Sequence, residues 1–137
     1  MTRSINLSSS KRLELIDITR NVEEAVSASG IDEGQCIVHA PHATAAIVIN
    51  EHEEGLVDDI LTKVGQLFPR DKNYRHNRID DNADSHLAST FLGSTKVIPI
   101  LGGKMKRGTW QNIFLVELDG PRTYREVVIQ VLGEILQ

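Results

Sequence analysis

The sequence predicts an α+β fold: a mainly antiparallel β-sandwich or barrel-like core with about three flanking helices. Three observations predict it. Strand-length runs rich in β-branched residues recur, such as Gln35-Cys36-Ile37-Val38-His39-Ala40 and Thr44-Ala45-Ala46-Ile47-Val48-Ile49. Gly and Pro punctuate them, most clearly at Gly102-Gly103 and Asp119-Gly120-Pro121-Arg122. Other segments carry the period of amphipathic helices. A length of 137 residues suits a single domain, 1–137, with one core. No repeat, low-complexity tract or linker divides it.

In chain order, residues 2–7 and 12–18 read as short strands, with Ser8-Ser9-Ser10-Lys11 as the turn of a hairpin. Ile18, Val22, Ala25 and Val26 then share a helical face, capped by Asp17 or Thr19 and stopped by Gly30. The runs at 35–40 and 44–49, broken by Pro41, are neighbouring strands or one strand bent at a bulge. Cys36 belongs to the core there, His39 reads as a structural histidine, and His42 sits at a strand edge. Asn50 to Glu54 opens a helix with the apolar stripe Leu56, Val57, Ile60, Leu61, Val64 and Leu67; Pro69 ends it. A polar loop follows at 74–86, then a short helix from about 83 to 92. On that helix Asn82, Ser85, His86 and Ser89 share an outward face, and Leu87, Ala88, Phe91 and Leu92 a packing face. Strands are expected at 95–101, 109–118 and 123–132. The last also has helical spacing at Val127-Val128 and Val131-Leu132, but its β-branched content favours strand.

The net charge of −4 argues against a broad nucleic-acid footprint. The single cysteine, Cys36, leaves no intrachain disulfide and fits a reducing compartment. No apolar run is long enough for a membrane helix, and the first residues lack the apolar stretch of a signal peptide. A cytoplasmic protein is the expectation.

The chemistry-bearing residues cluster in the loop at 74–86, which holds His76, Asp80, Asp81, Asp84 and His86 with almost nothing to bury. With His39 and His42 upstream, the histidines lie on separate elements and form no local metal motif. They suit a site assembled by folding, in which three imidazoles hold Zn²⁺ and leave a position open for water or substrate. The alternative is a set of scattered surface histidines. Arg122 and Arg125, with Lys104, Lys106 and Arg107, are candidates for binding an anion. Trp110 reads as a core or interface residue beside Gln111, which offers donor and acceptor together. There is no Gly-rich phosphate loop, no Gly-x-Ser-x-Gly elbow and no Cys–His nucleophile pair.

Six motifs stand out in order along the chain. They are Pro41-His42-Ala43-Thr44-Ala45-Ala46-Ile47, Asn50-Glu51, Tyr74-x-His76, Asp81-Asn82-Ala83-Asp84-Ser85-His86, Gly108-Thr109-Trp110-Gln111 and Asp119-Gly120-Pro121-Arg122. Together they resemble the YjbQ-like family, long uncharacterised and often described as secondary thiamine-phosphate synthase, and the resemblance spans essentially the whole chain. It implies a single YjbQ-like domain, a β-rich fold with flanking helices, a homotrimer, and a site near subunit boundaries. It implies His42, His76 and His86 as ligands of a metal, zinc above others. Glu51, Asp81 and Asn82 are then acid–base or supporting groups, and His86 also serves catalysis. Gln111 and Arg122 line the pocket with Asn82, Arg122 on the anion. The implied activity joins a hydroxymethylpyrimidine diphosphate to a thiazole phosphate and releases pyrophosphate; a diphosphate would bring Mg²⁺. Lys106-Arg107 before Gly108 departs from the apolar residue common there.

Three readings follow. The chain is an enzyme on an anionic small molecule, a non-catalytic metal- or anion-binding oligomer, or a structural oligomer whose histidines build contacts.

Overall fold

The computed structural model describes residues 1–135. Among these residues eight strands and three helices follow in the order β1 (Thr2–Leu7), β2 (Glu14–Asp17), α1 (Thr19–Ser29), β3 (Glu33–His39), β4 (Ala45–Asn50), α2 (Glu54–Leu67), α3 (Ala83–Leu92), β5 (Thr95–Leu101), β6 (Lys104–Met105), β7 (Asn112–Glu117) and β8 (Arg125–Glu134). A short 3-10 helix, Arg75–Arg78, precedes α3. The expected α+β class holds, with antiparallel pairing throughout.

The strands form two sheets, β1-β8-β3-β5-β6 and β2-β7-β4. Their facing sides make the main core. Cys36, Val38, Ile98, Ile100, Val127 and Ile129 come from the large sheet; Ala45, Ile47, Ile113 and Leu115 come from the small one. Helix α1 closes this core with Val22, Ala25 and Val26. The other side of the small sheet packs Ala46, Val116 and Leu118 against Val64 of α2 and Ala88 of α3. The small sheet is thus a middle layer, covered on both faces. That is why Ile113-Phe114-Leu115-Val116 is a continuous apolar run with no alternation.

Several expectations need correction. Residues 2–7 and 12–18 do not form a hairpin: β1 pairs with β8, Ile5 opposite Val127, and β2 pairs with β7, Leu15 opposite Val116. A tight turn implies pairing only when the two apolar patterns fit each other's register. The strands β3 and β4 are not neighbours; they belong to different sheets. The strand expected from 109 starts at Asn112, because Gln111 N–H and the Gly108 carbonyl close a turn at 3.1 Å. Trp110 is 70% exposed and no core residue. On α3 the wheel misassigns a face. Ser85 and Ser89 are buried, while Leu87 is exposed and Phe91 lies outside against Phe68. The serine hydroxyls donate to the carbonyls of Leu118 and Ala45, so small polar residues pack where the apolar count predicted solvent. Arg125, a candidate for binding an anion, is 3% exposed and already paired with Glu117.

Other expectations hold. Asp17 Oδ1 accepts the Thr19 N–H at the start of α1, and Gly30 ends it at φ 69°. Gly102-Gly103 turns the β5–β6 hairpin, with Leu101 opposite Lys104. Cys36 is fully buried, and burial pushes its thiol up to about 11.

Candidate functional site

The site grows from the segment between α2 and α3. Too polar to enter the core, this segment is pinned by its own hydrogen bonds. Tyr74 Oη donates to the Pro69 carbonyl at 2.9 Å. The backbone N–H groups of Ile79 and Asp80 both donate to the His76 carbonyl. Ala83 N–H donates to Asn77 Oδ1 at 3.2 Å. These bonds set His76, on the 3-10 helix, beside His86, one turn into α3. The two imidazoles meet edge to face, with ring centroids 4.6 Å apart and planes at 66°. They line a cleft of about 340 Å³ with Tyr74, Arg75, Ala83 and Leu87.

A polar relay backs the cleft. His76 Nε2 lies 3.1 Å from Asn82 Oδ1, and Asn82 Nδ2 donates to Asp119 Oδ2 at 2.8 Å. Arg122 donates to the same oxygen at 2.9 Å and, through Nε, to the Asp119 carbonyl at 3.0 Å. Arg12 bridges Asp119 and Asp84, at 3.5 and 3.0 Å, and so ties the start of α3 to the turn after β7. Behind this turn lies a buried ion pair, Glu117 with Arg125, whose bonds extend to Ser9 and Thr44. Burial works against the charged Glu117 carboxyl, but bonds from Arg125, Asp119 N–H and Ser9 outweigh it and hold it below its usual range.

The remaining candidates stand elsewhere. His42 Nε2 accepts the Glu126 N–H at 2.9 Å, at the start of β8. Burial, then the Arg125 charge, lowers its pKa from the ordinary histidine value. Glu51 lies in the β4–α2 connection, its N–H on Asn50 Oδ1. Asp81 is exposed and takes a bond from Arg70 at 3.3 Å. Gln111 Oε1 accepts the Gly108 N–H at 2.7 Å, which holds the loop before β7. Lys104 and Arg107 line a second cavity of about 580 Å³ beside α1, where Arg107 pairs with Glu23 at 3.1 Å. The fold therefore joins His76, His86, Asn82 and Arg122, and leaves His42, Glu51 and Gln111 apart from them within one chain. Among the described residues no three His, Cys, Asp or Glu side chains gather as a metal-holding group. Nor is any helix long and apolar enough to cross a membrane.

Sequence reasoning missed Asp119, Arg12 and the Asp17–His52 contact of 2.7 Å. Asp119 read as a turn residue and Arg12 as part of a strand. Only the Asp-Gly-Pro-Arg motif hinted at the first.

Comparison with known proteins places the chain in a family. The model of the UPF0047 protein YjbQ-like family matches residues 3–134. A UPF0047 protein of Archaeoglobus fulgidus is 48% identical over 124 residues, covering 90% of this chain and 96% of its own. One from Methanothermobacter thermautotrophicus is 45% identical over 133 residues, covering 97% and 92%. The crystal structure of a YbjQ-like protein of unknown function from Sulfolobus solfataricus superposes with a TM-score of 0.97 at 51% identity, covering 98% of this chain and 97% of that one. A hypothetical protein from Aeropyrum pernix gives 0.95 at 41%, covering 98% and 99%. The chain belongs to the UPF0047 YjbQ-like family.

Proposed function

We propose that the chain is an enzyme acting on a phosphorylated or otherwise anionic small molecule in the His76–His86 cleft, by phosphate-linked transfer or hydrolysis. The observation that carries this reading is the imidazole pair, 4.6 Å between ring centroids at the wall of a cleft of about 340 Å³. Among the described residues only His76 Nε2, of the four ring nitrogens, has a hydrogen-bond partner. Free imidazole nitrogens can move a proton to or from a reacting group. His86 is the acid–base group in this reading, and Asp81 or Glu51 handles a second proton. Arg75 stands in the cleft wall. Arg122 has N–H groups to spare beyond its two bonds to Asp119, and a guanidinium suits a phosphate. The named reaction closest to this chemistry is of the thiamine-phosphate synthase type.

Zinc fits the donor chemistry of His76 and His86 but not the donor count. Catalytic zinc takes three protein ligands, and this cleft supplies two. A third, His42 or another, would come from a second copy. Assembly as a homotrimer with the cleft at a subunit boundary belongs to the same proposal and would carry Glu51 and Gln111 to a neighbour's cleft. Mg²⁺ would instead arrive on a diphosphate substrate, near the Asp81 carboxylate.

The test is steady-state turnover of purified protein on phosphate esters, and on hydroxymethylpyrimidine diphosphate with thiazole phosphate. His86→Ala is expected to lower turnover on the order of a hundredfold with the fold retained. Unchanged turnover would overturn the assignment. Tight binding without turnover would favour a non-catalytic anion- or metal-binding protein.

A further inference from the structure

The relay behind the cleft determines more than position. Asp119 is only 14% exposed and is held from several sides. Arg122 and Arg12 face its carboxylate, and its own N–H donates to Glu117 Oε2 at 3.0 Å. The next residue allows no slack: a Cβ on Gly120 would lie 2.1 Å from the Lys11 carbonyl oxygen. The carboxylate is therefore a fixed acceptor.

Its chemistry propagates along the relay. A carboxylate accepts hydrogen bonds and gives none. The Asn82 atom at 2.8 Å from Asp119 Oδ2 must be the amide nitrogen. The amide is planar, so its oxygen is turned to the other side, 3.1 Å from His76 Nε2. An amide oxygen also only accepts. Nε2 must then carry the hydrogen, and in the neutral ring the lone pair falls on Nδ1. Among the described residues nothing is hydrogen-bonded to that nitrogen.

We propose that Asp119 is a positioning residue which, through Asn82, holds His76 as the Nε2–H tautomer and makes Nδ1 the atom through which His76 takes a proton or ligates a metal. The arrangement suits both charge states of the ring. When Nδ1 accepts a proton from a reacting group, Nε2–H keeps its bond to Asn82 and nothing has to turn over. Removing the proton restores the same neutral tautomer. A carboxylate in direct contact with the ring would set the same tautomer but place a full charge beside it. An intervening amide passes on the direction of the hydrogen bond without that charge. The catalytic consequence rests on the cleft being the reaction centre; the tautomer does not.

The experiment reads the ring directly. In full-length protein with ¹⁵N-labelled histidine rings, long-range ¹H–¹⁵N spectra report which nitrogen of His76 is protonated, with His76→Gln identifying its signals. The expected wild-type result is a protonated Nε2 and a bare Nδ1, favoured by roughly tenfold or more over the other tautomer, the factor one hydrogen bond can carry. In Asp119→Ala the ratio should relax to that of a free histidine side chain and the Nε2 proton should exchange faster with water. Asp119→Glu should recover part of the bias. A wild-type ring protonated at Nδ1 would overturn the proposal without any variant. So would a folded Asp119→Ala, judged by its amide spectrum, with an unchanged His76 signature. Neither result depends on turnover, so a failed assay of the cleft and a failed relay are separate outcomes.

Discussion

Glu117–Arg125 and His76–His86 are both pairs of ionisable side chains, and they are built in opposite ways. Glu117 is 0% and Arg125 3% exposed. Both Glu117 oxygens and the Nε and Nη2 of Arg125 are bonded, to each other, to Ser9, to Thr44 and to the Asp119 N–H. The histidines stand at a solvent-accessible wall, and three of their four ring nitrogens are without hydrogen-bond partners among the described residues. A buried charge must be fully satisfied to be tolerated, and once satisfied it has nothing left to offer a ligand. A half-exposed imidazole keeps its capacity for chemistry because water can stand in for the missing partner. The first pair serves as foundation, and the second lines the candidate site. They are joined through Asp119, which rests on Glu117 by its N–H and reaches His76 through Asn82.

The largest effect that would test this contrast lies in the buried pair. Arg125→Ala leaves Glu117 charged and alone, and is expected to cost about 3–5 kcal/mol in urea unfolding. Replacing both together, Glu117→Leu with Arg125→Met, should restore much of it, because no orphan charge remains. A single-variant loss below about 1 kcal/mol would break the idea that this pair supports the turn.

Acid should act next. The His42 pKa is lowered from 6.5 by burial and then by the Arg125 charge, so the folded state holds it neutral while the unfolded chain binds a proton. Its contribution is complete above about 6.5 and is lost as pH falls through the lowered folded value. The Glu117 pKa is also lowered, from 4.5: burial opposes this, and its hydrogen bonds outweigh burial. Its contribution is present above 4.5 and goes as pH falls below that. The urea midpoint should therefore be level from about 6.5 up to the ordinary thiol value of 9.0 and fall in two stages beneath 6.5. His42→Gln should remove the first stage. A midpoint that rises on acidification between these values would contradict the sign.

The smallest expected change sharpens the comparison most. His86→Ala should shift unfolding free energy by no more than about 0.5 kcal/mol, the range of positions without structural bonds, and His76→Ala by about 1 kcal/mol, the worth of its one hydrogen bond to Asn82. A loss approaching that of Arg125→Ala would make the imidazoles part of the scaffold.

Much of this was legible locally. The apolar period of α1 and α2, the Gly30 stop, the Gly102-Gly103 hairpin and the buried Cys36 follow from short-range pattern. The polar loop at 74–86 stood out as a candidate site because it could not enter a core. Errors arose where a local pattern met a distant partner. Ser85 and Ser89 looked like solvent-facing positions until the carbonyls of Leu118 and Ala45 came within reach of their hydroxyls. Arg125 looked like a residue for an anionic ligand until Glu117 stood beside it. Asp119 looked like a turn residue because its partners, Asn82 and Arg12, lie far away in sequence.

By itself, then, the sequence determined which segments are strand or helix, which residues are apolar enough for a core, which motifs mark the family, and which loop holds the histidines. These depend on backbone preference and periodicity over a few residues. Tertiary structure alone decided that β1 pairs with β8 and not with β2, that α3 buries its serines, and that His86 meets His76 while His42 binds Glu126. Those outcomes depend on register and on contacts across the chain, where an apolar strand can satisfy its backbone against several partners and only the packing of the whole selects one.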